Sequence, residues 1–180
     1  MKSKVVAGIV IAVIVIAVVG GFLYTDSGAL FAKSGTMKVG VADTPAVPVG
    51  VTGVFMTFDK ISVHSNTSGW VNYSISKVTV NILNVTVKNP SFIGNLSLKA
   101  GRYTQIRLYL TNVSVVFLGA QLNFTLKTGF AIVNHPFVIN STGTLNVVVD
   151  FDLHSSLNMT SKIFTPVVGS VTTSSSTSVS

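Results

Sequence analysis

The 180-residue chain has no cysteine and no glutamate. Without thiols there can be no disulfide, no thiolate nucleophile, no Cys-ligated zinc and no iron–sulfur cluster. Its acids are Asp26, Asp43, Asp59, Asp150 and Asp152, and charged residues make up 9% of the chain, against roughly 25% in ordinary soluble domains. Lys and Arg number 12 and the formal charge is +7. These basic residues are scattered and form no run, so no nucleic-acid partner is expected. The phosphate-binding patterns G-x-G-x-x-G and G-x-x-x-x-G-K are missing, as is the nucleophile pattern G-x-S-x-G. A surface so short of charge must draw polarity from Ser, Thr, Asn or attached sugar. Few carboxylates suit an acid exterior, where such groups lose their charge at about pH 4, and the fold is expected to tolerate acid. A merely Ser/Thr-rich secreted protein fits the composition equally well.

What is present begins with a leader. Lys2 and Lys4 precede an uncharged apolar run over residues 5–24. This is the positive-then-apolar order of a signal peptide, at a length close to a membrane span. Ser27-Gly28-Ala29 supplies small residues for cleavage, with Ala32 a second option. We therefore expect 1–29 to be a signal peptide, or a retained anchor helix, with the membrane touched only through this segment before cleavage. Residues 30–41 follow as an N-terminal tail and candidate donor strand, 36–173 as the folded domain, and 174–180 as a Ser/Thr-rich tail.

The body alternates with period two. Ile106, Leu108 and Leu110 share one side, with Arg107, Tyr109 and Thr111 on the other. Leu145, Val147, Val149, Phe151 and Leu153 share one side of TLNVVVDFDLHSS. VFMTFDKISVHS, KVTVNILNVTVK, QLNFTLKT, GFAIVNHPFVI and TSKIFTPVVGSV read the same way. Turn signals lie at 66–69, 89–90, 100–101, 128–129 and 141–143. Eight to ten short strands predict an all-β fold, a single β-sandwich with Greek-key-like connections.

Asp150, Asp152 and His154 alternate onto one face about 7 Å apart in successive steps. That could serve a metal or acid–base site, but no second His- or carboxylate-rich segment supplies further ligands. We read them as structural, with His64 and His135 as surface or loop residues. No catalytic residue, metal or cofactor is expected.

The stronger signal is the N-x-S/T acceptor triplet, which begins at Asn66, Asn72, Asn84, Asn95, Asn112, Asn123, Asn140 and Asn158. Eight of twelve asparagines open such a triplet; with Ser and Thr at 40 of 180 positions, fewer than about three would do so by chance. Period two places Asn112 with Ser114, and Asn123 with Thr125, on one side of their strands, opposite Val113 and Phe124. N-linked glycans there would coat an outer sheet face and replace charge as the source of solubility.

Several segments resemble, in order, a family of secreted prokaryotic domains of unknown function. They are MKVGVADTP, VFMTFDKISVHSNTSGW, AGRYTQIRLYL with its Gly-x-Tyr-x-x-Ile-Arg-Leu motif, VVVDFDLHSS and FTPVV, spanning about residues 36–168. A charge-poor, Cys-free member rich in acceptor triplets resembles the subunit of archaeal thread filaments, the thin surface pili of thermoacidophiles. The resemblance implies an extracellular, head-to-tail homopolymer in which the N-terminal strand of one subunit completes the sandwich of the next. Adhesion or biofilm would be its purpose. The alternative is a monomeric, membrane-anchored surface glycoprotein whose β-sandwich ectodomain binds a ligand.

Overall fold

The computed structural model describes residues 33–43 and 46–176. The expected leader at 1–29, the start of the 30–41 tail and the last four residues of the 174–180 tail lie outside the described residues. Among the described residues, no helix is long and apolar enough to cross a membrane.

The fold is all-β, as the period-two alternation predicts. Its strands are β1 (Ser34–Asp43), β2 (Val51–Ser65), β3 (Gly69–Asn81), β4 (Ser91–Lys99), β5 (Gly101–Phe117), β6 (Ala120–Leu126), β7 (Phe130–Val133), β8 (Phe137–Ile139), β9 (Thr144–Phe151), β10 (Leu157–Asn158), β11 (Ile163–Phe164) and β12 (Val168–Ser176). Twelve are described where eight to ten were expected. GFAIVNHPFVI splits into β7 and β8, both paired to β5, because Pro136 cannot donate to the ladder. TSKIFTPVVGSV likewise splits into β11 and β12.

Two sheets share one apolar core. The smaller has the order β12-β9-β1-β4, and the larger β10-β11-β6-β5-β2-β3, with β7 and β8 also along β5. β1 runs antiparallel to β4 and parallel to β9. It is thus hydrogen-bonded on both sides within its own chain, and Met37, Val39, Val41 and Ala42 are fully buried. From the larger sheet, Val54, Met56, Phe58, Ile61, Val63, Ile106, Leu108, Val113 and Val115 face the same core.

Two bulges explain an irregularity in the alternation. On β2 the inward residues are even through Phe58 and odd from Ile61; on β5 they are even through Leu110 and odd from Val113. Asp59 and Thr111 are the extra residues, next to the Phe58–Leu110 pair. A bulge adds one residue and so exchanges the faces of all that follow. Asn112 consequently lies on the outer side along with Arg107 and Tyr109.

Two expected strands end early for a local reason. KVTVNILNVTVK stops at Asn81, whose side chain accepts from the Val54 and Leu83 N–H groups at 3.2 and 3.4 Å and caps a 3₁₀ turn, Ile82–Asn84. TLNVVVDFDLHSS stops at Phe151. Asp152 accepts from the Ser155 N–H at 3.0 Å and caps the helical turn Leu153–Ser156.

Candidate functional site

The eight acceptor asparagines arrive from different elements. Asn66 lies in the β2–β3 turn, Asn72 on β3, Asn84 in the 3₁₀ turn and Asn95 on β4. Asn112 lies on β5, Asn123 on β6, Asn140 just after β8 and Asn158 on β10. All eight are exposed. The hydroxyl residue of each triplet is exposed as well, except Ser114, which is 3% exposed. It lies between Phe55 and Asn123 in register and accepts from Gln121 Nε2 at 3.2 Å. Ser114 stands opposite Asn123, so the two triplets of β5 and β6 form one continuous outer patch.

A second outer patch crosses β3, β2, β5 and β7. The register aligns Trp70 with His64, then Asn72 with Ser62 and Arg107, then Lys60 with Tyr109 and Phe130. Alternation sends Ile61, Val63, Ile106 and Leu108 inward and these residues outward. The Arg107 guanidinium lies 4.0 Å from the centre of the Trp70 ring and 5.0 Å from that of Phe130. Lys60 Nζ sits 3.7 Å over Tyr109. His64 is tilted against Trp70 at 5.0 Å, and its Nδ1 hydrogen-bonds the Thr104 hydroxyl at 2.8 Å. The nearby Ser62 hydroxyl first, then the Arg107 guanidinium and the charge of Lys60, hold the Tyr109 hydroxyl below its ordinary range against the opposing effect of burial. Beneath these side chains Ser62 is only 1% exposed, and its hydroxyl donates to Asn72 Oδ1.

A third cluster lies at the end of β1. Asp43 is 3% exposed, and neither carboxyl oxygen has a hydrogen-bond partner of ordinary geometry. Burial, followed by the neighbouring charge of Asp150, pushes it up to about 7; the Leu153 N–H acts against them, and Asp152 adds the smallest upward push. Asp150 is 6% exposed and accepts from the Ser170 hydroxyl at 3.1 Å. The anticipated one-face alignment of Asp150, Asp152 and His154 does not occur, because the strand ends between the first and second. Asp152 is the helix cap, held below its usual range chiefly by hydrogen bonds from Ser155, and His154 is exposed on the helical turn. Among the described residues, no group of three or more His, Asp or Glu could hold a metal ion.

Two of these features escaped the sequence. Asp43 sits in MKVGVADTP like any strand-end aspartate, and only the parallel β1–β9 pairing brings it to Asp150. His64 reads as a surface residue, yet it buttresses Trp70. The distinctive Gly-x-Tyr-x-x-Ile-Arg-Leu motif resolves into separate duties. Tyr103 donates its hydroxyl back to the Lys99 carbonyl at 2.9 Å and stacks on Phe137, pinning the β4–β5 turn. Ile106 and Leu108 enter the core, while Arg107 covers Trp70.

A family profile described as Domain of unknown function (DUF4382) matches residues 34–166. That span runs from the first residue of β1 to just beyond β11. No curated protein matches the chain significantly, and no solved structure does.

Proposed function

From the premise that the chain belongs to the DUF4382 family, we propose that it is a structural subunit of a secreted, N-glycosylated cell-surface filament. Subunits join head to tail by donor-strand complementation, and the filament serves adhesion or biofilm. One observation carries this reading above the others: β1 precedes the rest of the domain in sequence yet occupies the middle of a sheet. It is joined to β2 only through residues 44–50, which include Pro45 and Pro48. A β1 from a neighbouring copy would make the same eight-residue pairings to β4 and β9 and fill the same pockets as the chain's own strand. Exchange therefore costs little beyond re-extending the connection. Because donor and groove are different surfaces, the contact is heterologous and propagates as a fibre.

Eight exposed acceptor asparagines on a charge-poor surface support the glycoprotein part of the reading. The β-sheet surfaces supply structure and contact area, and no catalytic step is assigned to them. The pairing of β1 within its own chain also favours the second reading, a monomeric anchored surface glycoprotein with a ligand-binding ectodomain.

The test is deletion of residues 30–41 in the producing cells. The filament reading expects filaments to disappear and the truncated chain to be recovered as unstable monomers. Added peptide covering Ser34–Asp43 should restore the melting transition. Filaments of normal length from the truncated chain would overturn the reading. Intact mass and N-terminal mapping of the native protein separate the cleaved filament subunit from an anchored monomer, and would expose a chain without glycan.

A further inference from the structure

We propose that the outer face of β3-β2-β5-β7 is a docking platform for a saccharide, and that its occupant is the N-linked glycan carried by Asn72 of the same chain. The proposal rests on the glycoprotein part of the reading above and assigns one of its glycans a place on the protein.

The geometry starts with Trp70, two residues before Asn72 on the same strand. Alternation places residues i and i+2 on one face, roughly 7 Å apart. Trp70 is the chain's single tryptophan, and Asn72 is the acceptor asparagine with an indole at that spacing. The residues at the same position before the others are His64, Ile82, Ile93, Leu110, Gln121, Val138 and Ser156, so the pairing singles out Asn72.

Cross-strand register then surrounds Asn72 with the rest of the platform. Ser62 lies directly opposite on β2 and Arg107 beyond it on β5. The Ser62 hydroxyl donates to Asn72 Oδ1, which turns the amide oxygen toward the sheet and leaves Nδ2, the atom that bears sugar, pointing away. The bond survives glycosylation, because the acceptor oxygen is not the modified atom. A sugar at Nδ2 thus begins above Ser62, with Trp70 beside it on β3, Arg107 in the same row on β5, and Tyr109 one row further along β5.

The chemistry of the platform suits a pyranose. Such a ring has a face of C–H groups and a rim of hydroxyls. Arg107 lies over the Trp70 and Phe130 rings and Lys60 over Tyr109, so the exposed ring edges and the flat guanidinium meet the first, while the N–H groups of Arg107 and Lys60 supply hydrogen-bond donors for the second. The cations already lie over the rings, so the platform is assembled before sugar arrives and little side-chain freedom remains to be lost on contact.

The single tryptophan provides the readout. Full-length protein is purified from the cells that glycosylate it, and each site's occupancy is mapped by glycopeptide mass spectrometry. Emission of Trp70 and its quenching by acrylamide are then compared in wild type, Ser74→Ala, Asn72→Gln and Asn158→Gln. Ser74→Ala removes the triplet while keeping the Asn72 amide and its bond to Ser62, so a folding defect is not a concern there. Docking predicts a red shift and stronger quenching in Ser74→Ala and Asn72→Gln, and no change in Asn158→Gln. Occupied Asn72 with tryptophan emission indifferent to Ser74→Ala overturns the docking and leaves the glycoprotein reading standing. Bare Asn72 alongside glycan at other sites also overturns it, for want of an occupant. If every site is bare, the glycoprotein reading falls and the platform's assignment with it.

Discussion

The two sheets differ in how many of their pairings are local. In the larger one, β2 and β3 form a hairpin, as do β5 and β6, and β5 receives β7 and β8 from the chain that follows directly. The Leu118-Gly119 turn, with φ of 48° and 82°, has the left-handed twist that closes a two-residue hairpin. In the smaller sheet no two neighbours are consecutive: β12, β9, β1 and β4 come from across the chain. Local pairings form early and hold themselves, whereas non-local ones must await loop closure. The larger sheet contains local hairpins beside the non-consecutive β2–β5 and β6–β11 pairings, whereas every pairing of the smaller is non-consecutive, with β1 held between β4 and β9. Removing β1 leaves the facing backbone groups of β4 and β9 without partners, and another β1 can satisfy them.

The largest expected effect tests the β1 side of this comparison through pH. The Asp43 carboxyl is raised from 3.8 to about 7 in the folded chain. At pH below 3.8, folded and unfolded states both hold the proton and stability is at its highest with respect to this group. Between 3.8 and about 7 the unfolded state releases it while the folded state keeps it, so stability falls as pH rises, by roughly 1.4 kcal/mol per unit. Above about 7 the loss is complete, on the order of 4 kcal/mol at most. Melting temperature should therefore be higher at pH 4 than at pH 8, and Asp43→Asn should flatten the profile by raising the neutral value. A slope that persists in Asp43→Asn would place its origin elsewhere. Acid tolerance, expected from the scarcity of carboxylates, gains here a specific group.

A smaller effect separates two neighbouring strands of the smaller sheet, β1 and β4, by sterics. A Cβ on Gly35 would stand 1.9 Å from the Asn140 carbonyl oxygen, a backbone atom that cannot step aside. On Gly94 of β4 it would meet Ile61 Cδ1 at 2.5 Å, the far end of a side chain that can turn. Gly35→Ala should cost about 3 kcal/mol and Gly94→Ala about 1, measured by urea denaturation. Equal costs would mean that the start of β1 is free to shift and is a looser part of the smaller sheet than its pairings indicate.

Much of this was legible in the sequence, and the gaps have physical causes. Alternation identified the all-β class and the inward sides of β9 and of β5 from Ile106 to Leu110. The opposite parities of Ile106–Leu110 and Val113–Val115 were visible as well, but Asp59 and Thr111 lack the glycine that would mark a bulge. The helical turn after Phe151 went unread because a capping aspartate in D-F-D also continues the period-two pattern. Alternation placed Asn112 and Asn123 on an outer face, where both are exposed. The meeting of Asp43 with Asp150 depends on a parallel pairing across more than half the chain, for which no local residue pattern exists.

The smallest effect concerns the outer platform, where the same strand β5 faces core and solvent at successive residues. Ile106 is fully buried, and Ile106→Ala should cost about 3 kcal/mol through lost burial and a cavity. Arg107, its neighbour, stacks over Trp70 and Phe130 from the wet side, and cation–π contacts there are worth about 0.5–1 kcal/mol. Arg107→Ala should lower stability by about 1 kcal/mol, a Tm shift of roughly 2–4 °C for a domain of this size. Arg107→Lys keeps the charge but loses the flat guanidinium that lies along the indole. It should therefore recover only part of the loss. The two variants also divide charge from stacking. Full recovery by lysine would make the contact a matter of charge alone, and the platform would then be a set of separate cations on a sheet rather than a continuous stacked surface. If alanine at 107 proves as damaging as alanine at 106, the platform belongs to the core of the fold, and its outward half is no longer free to evolve toward a ligand.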